Sequence, residues 1–255
     1  MQVDINNEEI ITEKKINATL FMVFIGFIIF WIVATSLEYR NIWFIMFSIV
    51  SIILIVNNIA TIKKQDIIIG VILGILSIPS EPFMGLSTII AYIAGMSVFN
   101  KSKNKIELIK QGKKNVLISL VILLITGIGL GILNYFVASY EMTINISFRI
   151  EWILDALKAG IGEEVLFRFL LYAICIQLSR DINLNKWQTF MCYLIMIIPH
   201  TLAHFNFATF SITNVVFPSL FFGLPFTLLL IKRDLLTAVG SHTIVDLIRF
   251  IIFGI

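Results

Sequence analysis

The residues of this chain that could do chemistry fall in three short motifs. Gly162-Glu163-Glu164-Val165-Leu166-Phe167-Arg168 sets two carboxylates beside a guanidinium. Pro199-His200-Thr201-Leu202-Ala203-His204 holds two of the three histidines, and Ser241-His242-Thr243-Ile244-Val245-Asp246 holds the third. Each motif lies in a run of apolar residues long enough to enter a membrane. An ionisable group there costs about 2.5–3.5 kcal/mol by insertion scales unless it is paired or used. Each is therefore a functional candidate before anything else is known.

Helical spacing separates the two glutamates. Arg168 lies four residues beyond Glu164, so the two share a face and can form an ion pair. Glu163 lies about 100° round the helix from Glu164. One carboxylate is thereby neutralised and its neighbour stays free, which makes Glu163 the expected general base, able to polarise a water in a poorly solvated site. His242 and Asp246 are four apart, so the carboxylate can orient the imidazole, with Arg249 as the competing partner for Asp246. His200 and His204 also share a face. A histidine pair at that spacing can hold a metal, although Pro199 breaks or kinks the helix at that point. For His200 the plainer reading, a structural contact, is preferred. Asp155 and Lys158 read as an interfacial ion pair, and Glu81, between Ser80 and Pro82, as a residue of a solvated turn.

The elements that position these groups follow from composition. Of 255 residues 58% are hydrophobic and 14% charged, with a mean hydropathy of +0.96. Soluble domains carry about 25% charge, so lipid must cover much of this chain. The expected fold class is all-α: a polytopic transmembrane helical bundle of about seven to nine spanning helices around a polar intramembrane site. Segments suited to crossing are 17–38, 41–61, 116–138, 153–178, 187–209, 212–231 and 235–255. The stretch 66–99 is interrupted by Pro79-Ser80-Glu81-Pro82, which predicts two short helices, 66–79 and 83–99, as two crossings or a re-entrant hairpin. Residues 1–16 form a polar leader before a retained first helix. Residues 17–115 form an N-terminal helical part with a basic loop, and 116–255 the part that carries the motifs.

With the N-terminus in the cytoplasm, fourteen cations lie inside: Lys14, Lys15, Lys63, Lys64, the six lysines from Lys101 to Lys114, Arg180, Lys186, Lys232 and Arg233. Only Arg40 and Arg149 lie outside. That bias fixes the expected orientation. The lysine-rich loop 101–115 reads as a solvated topogenic loop, with contact to anionic headgroups as its functional alternative. Gly127 and Gly131 suit close helix packing in lipid. Cys175 and Cys192 read as small buried hydrophobes. The basic residues are scattered and not interleaved with aromatics, so nucleic acid is not an expected partner.

The three ordered motifs together resemble the CPBP (Abi) family of intramembrane peptidases, related to type II CAAX prenyl endopeptidases. The resemblance covers residues 116–255, including the approach 229–246 to the last motif. It implies that Glu163 activates the attacking water, that Glu164 and Arg168 brace the site, and that His204 assists proton transfer or holds the water. His242 with Asp246 would stabilise the oxyanion or orient the substrate. It also implies a hydrophobic peptide or membrane-tethered protein as substrate, membrane lipid as surroundings, and a bacterial cell membrane as location. No cofactor is required in the favoured mechanism. The alternative is a divalent metal such as zinc on Glu163, His204 and His242, although the chain has no HExxH. The chain departs from the family twice: His200 stands where the family places phenylalanine, and Asp246 where asparagine is common. A non-proteolytic member (an immunity or scaffold protein, or a lipoprotein acylation component) and a small transporter are the competing readings. One tension stands: counted along the helices, Glu163 and His204 fall in the outer half of the bilayer and His242 in the inner half.

Overall fold

The computed structural model describes residues 2–39, 41–139, 142–181 and 183–254, with side chains from Glu13 onward. Arg40, expected outside the membrane, and Ile255, the expected end of the last span, lie outside the described residues. So do the side chains of most of the polar leader, whose backbone is helical and continuous with the first span.

Among the described residues the chain is all helix. The helices are α1 (Gln2–Ser36), α2 (Ile42–Asn58), α3 (Lys64–Ser77), α4 (Pro82–Phe99), α5 (Lys113–Ala138), α6 (Ile150–Glu163), α7 (Leu170–Leu178), α8 (Lys186–Ala203), α9 (Ile212–Pro218), α10 (Leu224–Lys232) and α11 (Leu235–Phe253). A π-helical turn, Glu164–Phe169, joins α6 to α7 without a break, and a second, Ser219–Gly223, joins α9 to α10. Among the described residues six helices are long and apolar enough to cross a membrane: Glu13–Ser36, Ile42–Thr61, Pro82–Phe99, Lys113–Ala138, Ile212–Lys232 and Leu235–Phe253. The rod 150–178 and helix α8 carry the first two polar motifs, and the last of the six, α11, carries the third. The molecule is a multi-pass helical bundle, as composition predicts.

The expected hairpin at 66–99 is present as α3 and α4, but α3 has 14 residues. It is about 21 Å long, short of the roughly 30 Å hydrocarbon thickness. The two helices approach closely enough that a Cβ on Gly74 would stand 2.7 Å from the Gly85 carbonyl oxygen. Both ends of the hairpin return to one end of the bundle, where Asn100 donates to the Thr61 carbonyl and to Asp66 Oδ2. The GxxxG pair packs as its spacing predicts, against α11. A Cβ on Gly127 would meet Ile244 Cβ at 2.8 Å, and one on Gly131 would meet Ile248 Cδ1 at 2.5 Å. Cys175 and Cys192 are buried free thiols.

The loop 101–112 departs from the solvated reading. Asp181 accepts from Ser102 Oγ, from Lys103 N at 2.7 Å and from Asn104 Nδ2 at 3.1 Å. Wholly buried Asp234 caps α11 by accepting from Thr237 N at 2.8 Å, and also accepts from Lys110 N and Ser119 Oγ. The carbonyls of Glu107 and Leu108 accept from Leu235 N and Leu236 N, donors that a helix start would otherwise leave unpaired. The loop therefore folds over the start of α11. Helix α11 begins beneath this layer of protein.

Candidate active site

The first motif bends around its π turn. Residues Glu164–Phe169 are all buried, and such turns, rare in general, concentrate at functional sites. Within it Glu164 Oε1 and Arg168 Nη1 form the expected ion pair at 2.5 Å, with both side chains wholly buried. Glu163 faces a different set of partners. Its Oε2 lies 2.6 Å from His200 Nε2, 3.6 Å from His204 Nε2 and 3.8 Å from His242 Nε2. The two carboxylates thus take different partners, as helical spacing predicts, but Glu163 is not free: His200 lies at hydrogen-bond distance from it.

The second motif reaches the site at the end of α8. That helix starts from a capping box in which Asn185 Oδ1 accepts from Gln188 N and Gln188 Oε1 accepts from Asn185 N. Pro199 lies inside its last turns. His200 is buried against the Phe167 ring, and His204, at the C-cap, is about half exposed. The third motif comes from α11. His242 Nδ1 lies 2.8 Å from Glu164 Oε1 and its Nε2 lies 3.5 Å from Asp246 Oδ2. The His242 ring stacks on Phe226 at 4.7 Å between centroids. Among the described residues Asp246 is near His242 and makes no ion pair with Arg249. Helix α11 crosses α6 where Gly160 leaves no room for a side chain: a Cβ there would stand 2.8 Å from the Val239 carbonyl oxygen.

All six residues expected at the site therefore converge, with His242 Nε2 3.8 Å from Glu163 Oε2 despite the different depths counted along their helices. His200 makes the closest contact to Glu163, and the available signal was its i, i+4 spacing to His204. Glu163 Oε2, His200 Nε2 and His204 Nε2 lie within 4.8 Å of one another. The donor cluster thus includes His200, beside the trio Glu163, His204 and His242.

Two cavities open on this cluster. The larger, about 560 Å³, is lined by Glu163, His200, His204, His242 and Asp246, and by the aromatic rings of Phe217, Phe222, Phe226 and Phe250. Asp155 and Lys158, an ion pair at 3.5 Å, and Arg249 also line it. The second, about 390 Å³, reaches Glu163 and His204 from the side of Asn41, Trp43 and Glu81. Glu81 is thus part of a cavity wall as well as a turn.

Residues 145–248 match the family described as Type II CAAX prenyl endopeptidase Rce1-like. This region is similar to that family. The match agrees with the family that the three motifs suggest, over a narrower range than 116–255: α5 lies outside it, although it packs on α11. No curated protein and no solved structure matches the chain. The region of similarity contains all three motifs.

Proposed function

We propose that the chain is an intramembrane endopeptidase in which Glu163 activates water against a peptide bond of a hydrophobic, membrane-associated peptide or protein. The observation that carries this reading is the division of labour between adjacent carboxylates. Glu164 is consumed by Arg168 and His242, while Glu163 borders a cavity of about 560 Å³ with aromatic walls. In the reaction Glu163 takes a proton from water as the water oxygen bonds to the scissile carbonyl carbon. The developing oxyanion is met by a hydrogen on His204, or on Nε2 of a doubly protonated His242, which Asp246 orients. The C–N bond then breaks as Glu163 returns the proton to the leaving amine, so atoms and charge balance. His242 Nδ1 donates to Glu164 and is thereby fixed, which leaves its Nε2 directed at Glu163 and Asp246.

The favoured path uses these side chains without a metal. Were zinc held, Glu163, His204 and His242 would hold it, and it would supply Lewis-acid polarisation of the carbonyl. The loops bearing the fourteen cations are assigned to the cytoplasmic side of a cell membrane, with the N-terminus there too. A second reading, a non-proteolytic member, is favoured by the departure at His200.

The test is cleavage of a panel of hydrophobic peptides by purified protein in lipid vesicles, compared with Glu163→Gln. Loss of a general base lowers the rate by about 10²–10⁴-fold. The expected outcome is cleavage by the native protein, a loss of that size in the variant, and no effect of a chelator. Absence of cleavage over the panel, or a variant as fast as the native protein, would overturn the peptidase reading. Inhibition by the chelator would replace the metal-free path.

A further inference from the structure

His200 has two ring nitrogens with opposite neighbours. Its Nδ1 lies 3.1 Å from Arg168 Nη2, and its Nε2 lies 2.6 Å from Glu163 Oε2. A guanidinium only donates and an ionised carboxylate only accepts. The nitrogen facing Arg168 must therefore accept, and the nitrogen facing Glu163 must carry the hydrogen. We infer that His200 is a positioning residue, held by Arg168 as the Nε2–H tautomer and donating that hydrogen to Glu163 Oε2. This rests on the reading of Glu163 as the base, and it adds a role that the three motifs alone do not assign.

The inference follows a connected line of contacts. Glu164 fixes Arg168 at 2.5 Å, Arg168 fixes the His200 ring, and His200 fixes Glu163. Each member is buried or nearly so, and the ring is packed against Phe167. Hydrogen bonds with an ionised partner are about twice as strong as neutral ones, so the carboxylate is held in one orientation. Its Oε2 is thereby occupied. Its Oε1, which has no hydrogen-bond partner among the described residues, is the oxygen left to take a proton from water. Phenylalanine at position 200 would leave Arg168 Nη2 without this acceptor and Oε2 without this donor.

The same polarity bears on metal binding. A neutral imidazole has one lone-pair nitrogen, and here Arg168 uses it. His200 cannot ligate through Nε2 while that contact lasts. The three donors within 4.8 Å are then a hydrogen-bonded cluster around one proton and not three ligands of one ion.

The chain has three histidines, so ¹⁵N ring spectra of the full chain in detergent can be assigned with single variants. The expected result is a His200 ring protonated at Nε2 and unprotonated at Nδ1, unchanged by added zinc. A ring protonated at Nδ1, or zinc-induced shifts at His200 Nε2, would overturn the inference. This readout does not need activity, so it still decides the matter if no peptide is cleaved and the peptidase reading fails.

Two variants test the role in the reaction. His200→Gln can accept from Arg168 and donate to Glu163, so its kcat should stay within about tenfold of native. His200→Phe does neither, and misplacing the base should lower kcat about 10²-fold with KM little changed. Thermal unfolding of both variants separates loss of position from loss of fold. A folded His200→Phe with native kcat, or a folded His200→Gln as slow as His200→Phe, would overturn the positioning role.

Discussion

Helix α5 and the rod 150–178 are of similar length, and each lies against α11, yet they solve opposite problems. In α5 only Ser119, Gly127 and Gly131 are buried. The rest of its surface is apolar and open, with Leu117, Leu124 and Ile125 half to two-thirds exposed, and in lipid that surface needs no protein partner. The rod buries every residue of its π turn and most of its neighbours. It holds Glu163, Glu164 and Arg168, for which lipid offers nothing. The difference shows where sequence is costly to change. On α5 only the narrow seam against α11 is specified by packing. On the rod every position of the π turn is buried, and six of the nine residues of α7 are.

The largest effect that would break this comparison is at Arg168. Arg168→Leu leaves the Glu164 carboxylate buried without its cation, and removing one partner of a buried pair costs about 3–5 kcal/mol. Thermal unfolding in detergent should show it, and an unchanged midpoint would mean that the rod is not specified by its charges. Next is a glycine contrast between the two regions. Gly160→Val drives a side chain into the Val239 carbonyl oxygen and Thr243 N, and overpacking of this kind costs about 1–3 kcal/mol. Gly129→Ala on α5, where nothing lies within 4 Å of the added carbon, should instead be neutral or stabilising by up to about 1 kcal/mol.

Asp234→Ala removes the cap of α11 and strands buried donors at Thr237 and Ser119. A cost of about 1–3 kcal/mol is expected, with the loop 101–112 released to proteolysis before the bundle unfolds. The smallest effect is on pH. Burial pushes the Asp181 carboxyl up, but hydrogen bonds from Ser102, Lys103 and Asn104 outweigh it and hold the group below its ordinary value. A depressed carboxyl contributes stability above its unfolded value, about 3.9. That contribution is lost as pH falls through the folded value, so amide exchange in the loop should accelerate only under strongly acid conditions.

Much of the site is legible in the sequence because it depends on spacing within single helices. The i, i+4 relation of Glu164 to Arg168 and the offset of Glu163 need only helical geometry. So does the pairing of His242 with Asp246. What joins the helices is not legible in that way. The start of α11 is covered by Glu107, Leu108 and Lys110, more than a hundred residues away in the sequence. The π turn has no spacing signature. His200 is the clearest case: its partners, Arg168 and Glu163, lie on another helix, and the local pattern points as well to a structural contact as to a role. The loop 101–115 misleads for the opposite reason, since its lysines describe its solvent side and not the carbonyls and aspartates that anchor it.

The most direct test of the account is a paired measurement on adjacent carboxylates in one vesicle preparation, Glu163→Gln and Glu164→Gln, each followed by peptide cleavage and by thermal unfolding. The account predicts that Glu163→Gln keeps most of its stability and loses cleavage by about 10²–10⁴-fold, while Glu164→Gln lowers the unfolding midpoint by breaking the buried pair with Arg168. Cleavage surviving in Glu163→Gln at the native rate, or a Glu164→Gln protein as stable as the native one, would contradict it.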